Sequence, residues 1–334
     1  MVYPSIFNMK KNTIIITGGA GFVGSNLINL FINRTKFKII SLDNYSTGLT
    51  KNHIRNKRIK YIKGNTKDIN KLLKNTMNIN AIFHFGEFAR IYQSFINMGE
   101  CIDSNTIGSN AVFNFCLKNK IKLIYSATSA TLGNNGNDKN LSPYAFTKAK
   151  NLELLDNLKK WFNFKFEIIY FYNVYGPGQI CKGDMATVIG IFEDCYKTKK
   201  PLTVVKPGSQ TRRFTHIFDT VETCYMAWKK NKCRHYSISN YKSYTVLDVA
   251  KMFKSKIKFQ LSRLWGMFTN LCVFGNVALL PSPVGTIWTH KGLLTCVCQH
   301  MSLKMTLPSR LIVTFRTYKR FITGMFLHII IETG

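Results

Sequence analysis

Acidic residues are scarce in this chain: 16 Asp and Glu stand against 47 Lys and Arg among 334 residues, a formal net charge of +31. Such an excess attracts nucleic acid or acidic membrane. The lysines are spread evenly among Asn and Ile, however, and no helix-turn-helix, RNA-recognition or zinc-finger pattern accompanies them. No specific nucleic-acid partner is therefore expected. The nine cysteines lack paired spacing except Cys296 and Cys298, which sit too close for a zinc pair. That excludes a disulfide framework and a structural metal site, and reduced, mostly buried thiols are expected. The opening MVYPSIFNMKK is too short and polar for a secretory signal, so a cytoplasmic location is expected. Leu264–Thr289 carries no charge, yet Asn, Pro and Gly interrupt it, which argues against a membrane span.

The apolar fraction of 46% and charged fraction of 19% describe an ordered globular chain, long enough for one large domain or one large plus one small. Short apolar runs alternate with helix-length segments. Strands are expected at Thr13–Thr17, Phe37–Asp43, Ile59–Gly64, Ala81–Gly86, Lys122–Thr128, Phe166–Val174 and His235–Ser239. Helices are expected at Ser25–Asn33, Ile69–Lys74, Ser104–Lys118 and Thr245–Ser255. Several strands are apolar on both faces, as a sheet covered on both sides requires. The alternation predicts an α/β fold with a doubly wound parallel sheet.

The first strand runs into Gly18-Gly19-Ala20-Gly21-Phe22-Val23-Gly24 and then a helix. Glycines at 18, 21 and 24 allow a tight turn, close approach to a pyrophosphate and close helix–strand packing. The helix N-terminus offers N–H groups and a positive dipole end to the phosphates. Asp43 ends the second strand nineteen residues after Gly24, where a carboxylate accepts hydrogen bonds from an adenosine ribose and repels a 2′-phosphate. NAD is thus expected rather than NADP.

Ser142-Pro143 precedes Tyr144-Ala145-Phe146-Thr147-Lys148. Tyr and Lys four apart on a helix leave the same face, and an ammonium there favours the phenolate, so Tyr144 can take a proton from an alcohol as hydride leaves the same carbon. Before it lies Tyr125-Ser126-Ala127-Thr128-Ser129-Ala130-Thr131, in which Thr128 stands at a strand end, where open α/β sheets bind ligands. Its hydroxyl can bridge a substrate hydroxyl and the tyrosine.

Taken with HFGEFAR, LDNYSTG, YFYNVYGP and SQTRRFTHIFD, these motifs resemble the extended short-chain dehydrogenase/reductase family over roughly residues 11–258. Within it they resemble the UDP-glucose 4-epimerase-like sugar-nucleotide enzymes. The resemblance implies Thr128, Tyr144 and Lys148 as the catalytic group, Asp43 and Asn44 on the adenosine ribose, and Asn65 near the adenine. It also places Phe85 and Asn105 on the nicotinamide side, Lys148 on the nicotinamide ribose, and Arg90, Thr128, Asn173 and Arg212 at the substrate. It further implies a nucleotide-sugar substrate and a homodimer, for which Leu152, Leu154, Leu155 and Leu158 of Asn151–Lys160 offer a face that core burial explains equally well.

The domain layout expected from it is a Rossmann domain over 9–178, to which 209–240 return. A smaller C-terminal substrate-binding part comprises 179–208 and 241–259. Residues 260–334 form an unmatched tail with no sustained helix or strand period and one acidic residue, Glu332; it reads as a frameshifted or chimeric frame. Other departures are Arg213 where the family has an acid, and Phe171 and Tyr172 exchanged against the common Tyr-Phe order. Sugar-nucleotide dehydratases need an Asp-Glu pair after the strand-end Thr; Ser129 and Ala130 stand there and cannot do acid–base work. Decarboxylases carry a nearby Glu that is also missing. Epimerisation through a 4-keto sugar, with NAD resident, is the expected reaction; a non-catalytic or impaired NAD-binding protein of the same kind, with RNA association through its charge as one form of it, is the alternative.

Overall fold

The computed structural model describes residues 11–132, 138–232 and 234–261, and in the tail the backbone of three strands only. The main sheet takes seven of its strands from β1 (Thr13–Thr17), β2 (Lys38–Asp43), β3 (Ile59–Lys63), β4 (Ile79–His84), β5 (Lys122–Thr128), β6 (Phe166–Phe171) and, later, β11. The helices between them are α1 (Phe22–Arg34), α2 (Ile69–Leu72), α3 (Ile91–Ile96), α4 (Met98–Ile102), α5 (Ser109–Lys118) and α6 (Pro143–Phe162). After β6 come β7 (Val174–Tyr175), α7 (Val188–Lys197), β8 (Leu202–Val205), β9 (Thr211–Arg212), β10 (Thr215–His216) and α8 (Ile217–Lys230). Then follow β11 (His235–Ile238), β12 (Tyr244–Thr245), α9 (Val246–Met252) and β13 (Ile257–Gln260).

The seven strands run parallel in the order β11-β6-β5-β4-β1-β2-β3. Strand order reverses beside β1, and that switch point opens a crevice at the carboxyl ends of β1 and β4. The expected doubly wound sheet is observed. Its two faces are buried separately because alternate side chains of each strand leave opposite ways. Ile15, Ile82, Leu123, Tyr125 and Ile168 join one core under α5 and α6. Ile14, Ile16, Phe83, Ile124 and Ile169 join the other, with Leu27, Ile28 and Phe31 of α1 and Val221 and Cys224 of α8. A third, smaller core gathers Phe192, Leu202, Val204, Phe214, Val249 and Ala250 beside the parallel β8–β13 pair.

Several expected boundaries shift for local reasons. The fourth strand ends at His84, not Gly86, because Phe85 and Gly86 turn their N–H groups onto Thr17 Oγ1. The run through Val174 breaks at Asn173, whose φ is +35°. A π-helical turn, Asp103–Gly108, leads into α5 and splits the helix expected over 104–118. The leucines offered for a dimer contact go inward: Leu155 and Leu158 are buried in the first core, and Leu152 and Leu154 pack against it. In the tail, where no strand was expected, Leu303–Leu307, Leu311–Tyr318 and Phe326–Thr333 form an antiparallel three-stranded sheet. Leu-Lys-Met-Thr-Leu alternates with period two over a stretch too short to stand out. The question of a shifted frame otherwise falls on residues outside those described.

Among the described residues no helix is long and apolar enough to cross a membrane, and no three His, Cys, Asp or Glu converge as metal ligands. Cys101, Cys116 and Cys224 are buried free thiols, and burial pushes the last two far up the scale, so they stay protonated.

Candidate functional site

The glycine turn is built by contact distances. Gly18 has φ +70°, and a Cβ there would lie 2.9 Å from the Phe85–Gly86 backbone. At Gly24 it would lie 2.2 Å from Gly18 O and 2.7 Å from Gly19 Cα, so α1 can start against the turn only without a side chain. Asp43, buried at the end of β2, holds the turn from the other side. Its Oδ2 accepts from Ala20 N at 2.9 Å and its Oδ1 from Tyr45 N at 2.8 Å. Asn44 Nδ2 donates to Asn65 Oδ1 at 2.9 Å, which joins the loops after β2 and β3.

These pieces border one cavity of about 520 Å3. Of the residues singled out from sequence, Gly18, Gly21, Phe22, Val23, Gly24, Asp43, Asn44, Asn65, Phe85, Arg90, Tyr144 and Lys148 line it. Its lining runs from the loops after β2 and β3, past the turn, to the start of α6. A side-chain-free pyrophosphate cradle at one wall and a buried carboxylate at the ribose position fit a dinucleotide.

Helix α6 starts where it does because Ser142 Oγ accepts from Ala145 N at 3.1 Å and Pro143 occupies the first turn. That cap puts Tyr144 in the first turn and Lys148 one turn on, both facing the cavity. Lys148 is buried, and its ammonium donates to Ser126 O at 2.5 Å and forms an ion pair with Glu87 Oε2. Glu87 went unnoticed in the sequence. The available signal was a lone acid directly after a core strand in a chain with few acids.

Glu87 ends a chain of polar contacts through the sheet. Phe85 N and Gly86 N donate to Thr17 Oγ1, which contacts His84 Nδ1 at 2.7 Å; His84 Nε2 contacts Ser109 Oγ at 3.0 Å; Ser109 Oγ donates to Glu87 Oε1 at 2.7 Å. One assignment satisfies every member: Thr17 donates to Nδ1, and a neutral His84 donates from Nε2. Full burial, aided by Lys148 and opposed by Glu87, pulls His84 down to about 4. A depressed histidine makes the unfolded chain the better proton binder below 6.5. Stability then falls as pH drops from about 6.5 to 4, by up to about 3 kcal/mol. Urea unfolding across that range should show this loss, and His84→Gln should remove most of it; an unchanged slope in the variant would show that other groups carry it.

Four expected site residues are placed differently. Asn105 is fully buried and does not line the cavity: its Nδ2 donates to Phe88 O at 3.0 Å and Thr147 Oγ1 at 3.2 Å, and its Oδ1 accepts from Phe88 N at 2.6 Å. It braces the loop that carries Glu87. Thr128 closes β5, buried, with Oγ1 accepting from Ala130 N at 3.2 Å; the cavity wall there is Ser126 and Ala127. Asn173 and Arg212 also lie off the lining. Asn173 Nδ2 donates to Arg213 O at 2.9 Å, and Arg212 donates to Thr211 O at 2.8 Å. Arg90 does reach the cavity. Its Nε and Nη2 both donate to Met185 O, at 3.0 and 2.8 Å, and its backbone sits at φ +141°, a costly conformation for a residue with a Cβ.

Known proteins share this fold. A putative UDP-glucose 4-epimerase of Methanocaldococcus jannaschii is 28% identical over 74% of this chain and 83% of its own length. An uncharacterized UDP-glucose epimerase of Bacillus subtilis is 30% identical over 63% and 70%. The crystal structure of UDP-glucose 4-epimerase from Thermotoga maritima with UDP-glucose superposes with a TM-score of 0.69. It covers 75% of this chain and 86% of that one at 22% identity, a likeness of fold. The UDP-glucose 4-epimerase of Thermus thermophilus in complex with NAD gives 0.67 over 77% and 93% at 21% identity. The model of the NAD dependent epimerase/dehydratase family matches residues 14–239, so this chain is a member of that family and an NAD-dependent enzyme.

Proposed function

We propose that the protein epimerises a nucleotide-diphosphate sugar, of the UDP-glucose/UDP-galactose kind at C4, through a 4-keto intermediate. The observation that carries this reading is the single cavity in which Tyr144 and Lys148 face the glycine turn across a space fitted to a dinucleotide. NAD held by the glycine turn, Asp43 and Asn44 would supply a reversible hydride acceptor for the sugar carbon. Tyr144 takes the proton of the reacting hydroxyl and gives it back. Lys148 supplies positive charge beside the phenol and a donor for a ribose hydroxyl. Arg90, held by Met185 O beside Tyr144, binds sugar oxygens. Asp43 and Asn44 bind the adenosine ribose and Asn65 the adenine edge.

Ser129 and Ala130 support epimerisation over dehydration. They form the turn directly after β5, the position for an acid and a base acting at C5 and C6, and neither can titrate. The named relatives include an ADP-L-glycero-D-manno-heptose-6-epimerase, UDP-glucuronic acid decarboxylases and a dTDP-D-glucose 4,6-dehydratase, so the test must separate reactions. Incubating the NAD-supplemented protein with UDP-glucose, UDP-N-acetylglucosamine and UDP-glucuronate, then resolving products by anion-exchange chromatography and NMR, does so. The expected product is a 4-epimer with no net change in NADH. A 4-keto-6-deoxy sugar or a pentose product would overturn the assignment.

A further inference from the structure

We infer that Glu87 is the positioning residue of the Lys148 ammonium, a buried counter-charge that fixes where the cation sits in the cavity and offsets the charge it presents to Tyr144. This rests on the reading of Tyr144 and Lys148 as the proton-handling pair.

Three observations carry it. First, both side chains are almost wholly inaccessible, 2% for Glu87 and 5% for Lys148, so the pair is not a surface contact loosened by solvent. Second, Glu87 is itself immobilised. Its Oε1 accepts from Ser109 Oγ at 2.7 Å, Tyr125 OH at 2.9 Å and Asn151 Nδ2 at 3.2 Å, which leaves Oε2 for the ammonium. Asn151 is fixed in turn by donating to Asn105 O at 2.6 Å and Tyr125 OH at 3.0 Å. Third, Glu87 belongs to the cavity wall and shares it with Lys148 and Tyr144. A carboxylate held by three donors from α5, β5 and α6 is a fixed point, and the lysine hangs from it.

The consequence is electrostatic. An ammonium with no counter-charge in a dry cavity favours a phenolate beside it strongly; one paired to a carboxylate does so less. His84 on β4, Tyr125 on β5 and Cys101 on α4 interact with the pair, Arg90 on the loop before α3 interacts with Tyr144, and Asp43, Lys67, Glu100, Asp103 and Asp184 stand elsewhere on the cavity wall. His84 stays neutral and burial keeps the Tyr125 phenol and the Cys101 thiol protonated, so these three add no charge near neutrality. The charges set against Tyr144 are therefore those of Lys148, Glu87 and Arg90.

Glu87→Gln keeps the size and one acceptor while removing the charge, so the phenolate should form at lower pH. In the full chain with NAD added, the tyrosinate absorbance lost on Tyr144→Phe is titrated in wild-type and Glu87→Gln backgrounds. The expected result is a midpoint about one pH unit lower in Glu87→Gln, with the acid limb of turnover moving the same way. Equal midpoints would overturn the inference even if activity falls, since a purely structural residue lowers activity without moving them. The absorbance readout needs no substrate, so it stands if the proposed reaction is wrong. Should Glu87→Gln not fold, Glu87→Gln/Lys148→Met decides: recovery of folding in the double variant supports the pairing, and continued failure overturns it.

Discussion

Tyr144→Phe is expected to lower turnover of a nucleotide sugar about 100- to 10,000-fold, with NAD affinity and melting temperature close to wild type. The substitution removes one oxygen and keeps the ring, so the packing of the first turn of α6 survives. Its cap, Ser142 Oγ to Ala145 N, and the bond from Tyr144 N to Ser94 Oγ involve no phenol. What disappears is the group proposed to exchange the proton of the reacting hydroxyl. Lowered kcat with KM little changed marks a loss felt chiefly in the transition state. Equal turnover in both proteins would remove Tyr144 from the chemistry and leave the chain a dinucleotide-binding shell.

Gly24→Ala should cost at least about 100-fold in NAD affinity and about 2–4 kcal/mol in stability. The added methyl would stand 2.2 Å from Gly18 O and 2.7 Å from Gly19 Cα. Both are backbone atoms, so no side chain can swing aside; either α1 retreats or the turn opens. Each response moves the N–H groups proposed to hold the phosphates. Gly99 of α4 is the control, because a methyl there meets nothing within 4 Å. Gly99→Ala should bind NAD normally and gain up to about 1 kcal/mol of helix propensity. Calorimetric titration with NAD and urea unfolding read both effects. Normal binding by Gly24→Ala would show that the pyrophosphate rests elsewhere.

Much of this was legible along the chain because its causes are local. A run such as Thr13–Thr17 can satisfy its backbone only in a sheet, and the glycines after it announce a turn that side chains cannot make. Ser142-Pro143 fixes the start of α6 and hence the common face of Tyr144 and Lys148. Glu87 went unnoticed, and the surroundings of Asn105 were not foreseen, for the opposite reason. Glu87 meets Lys148 sixty-one residues away, and Asn105 meets Phe88 and Thr147 across seventeen and forty-two. A polar residue at such a position reads the same whether it faces a ligand or braces a loop from behind.

The strand runs, the glycine turn with its acid, and the capped Tyr–Lys helix were settled by residue order, since each depends on hydrogen bonds or steric fit within a few positions. Folding decided which of the polar residues share a wall: it drew Glu87 under Lys148, turned Asn105 inward and kept Thr128 off the lining. Those outcomes follow from how β4, β5, α5 and α6 pack around a carboxylate that, once buried, must find its donors wherever the chain brings them.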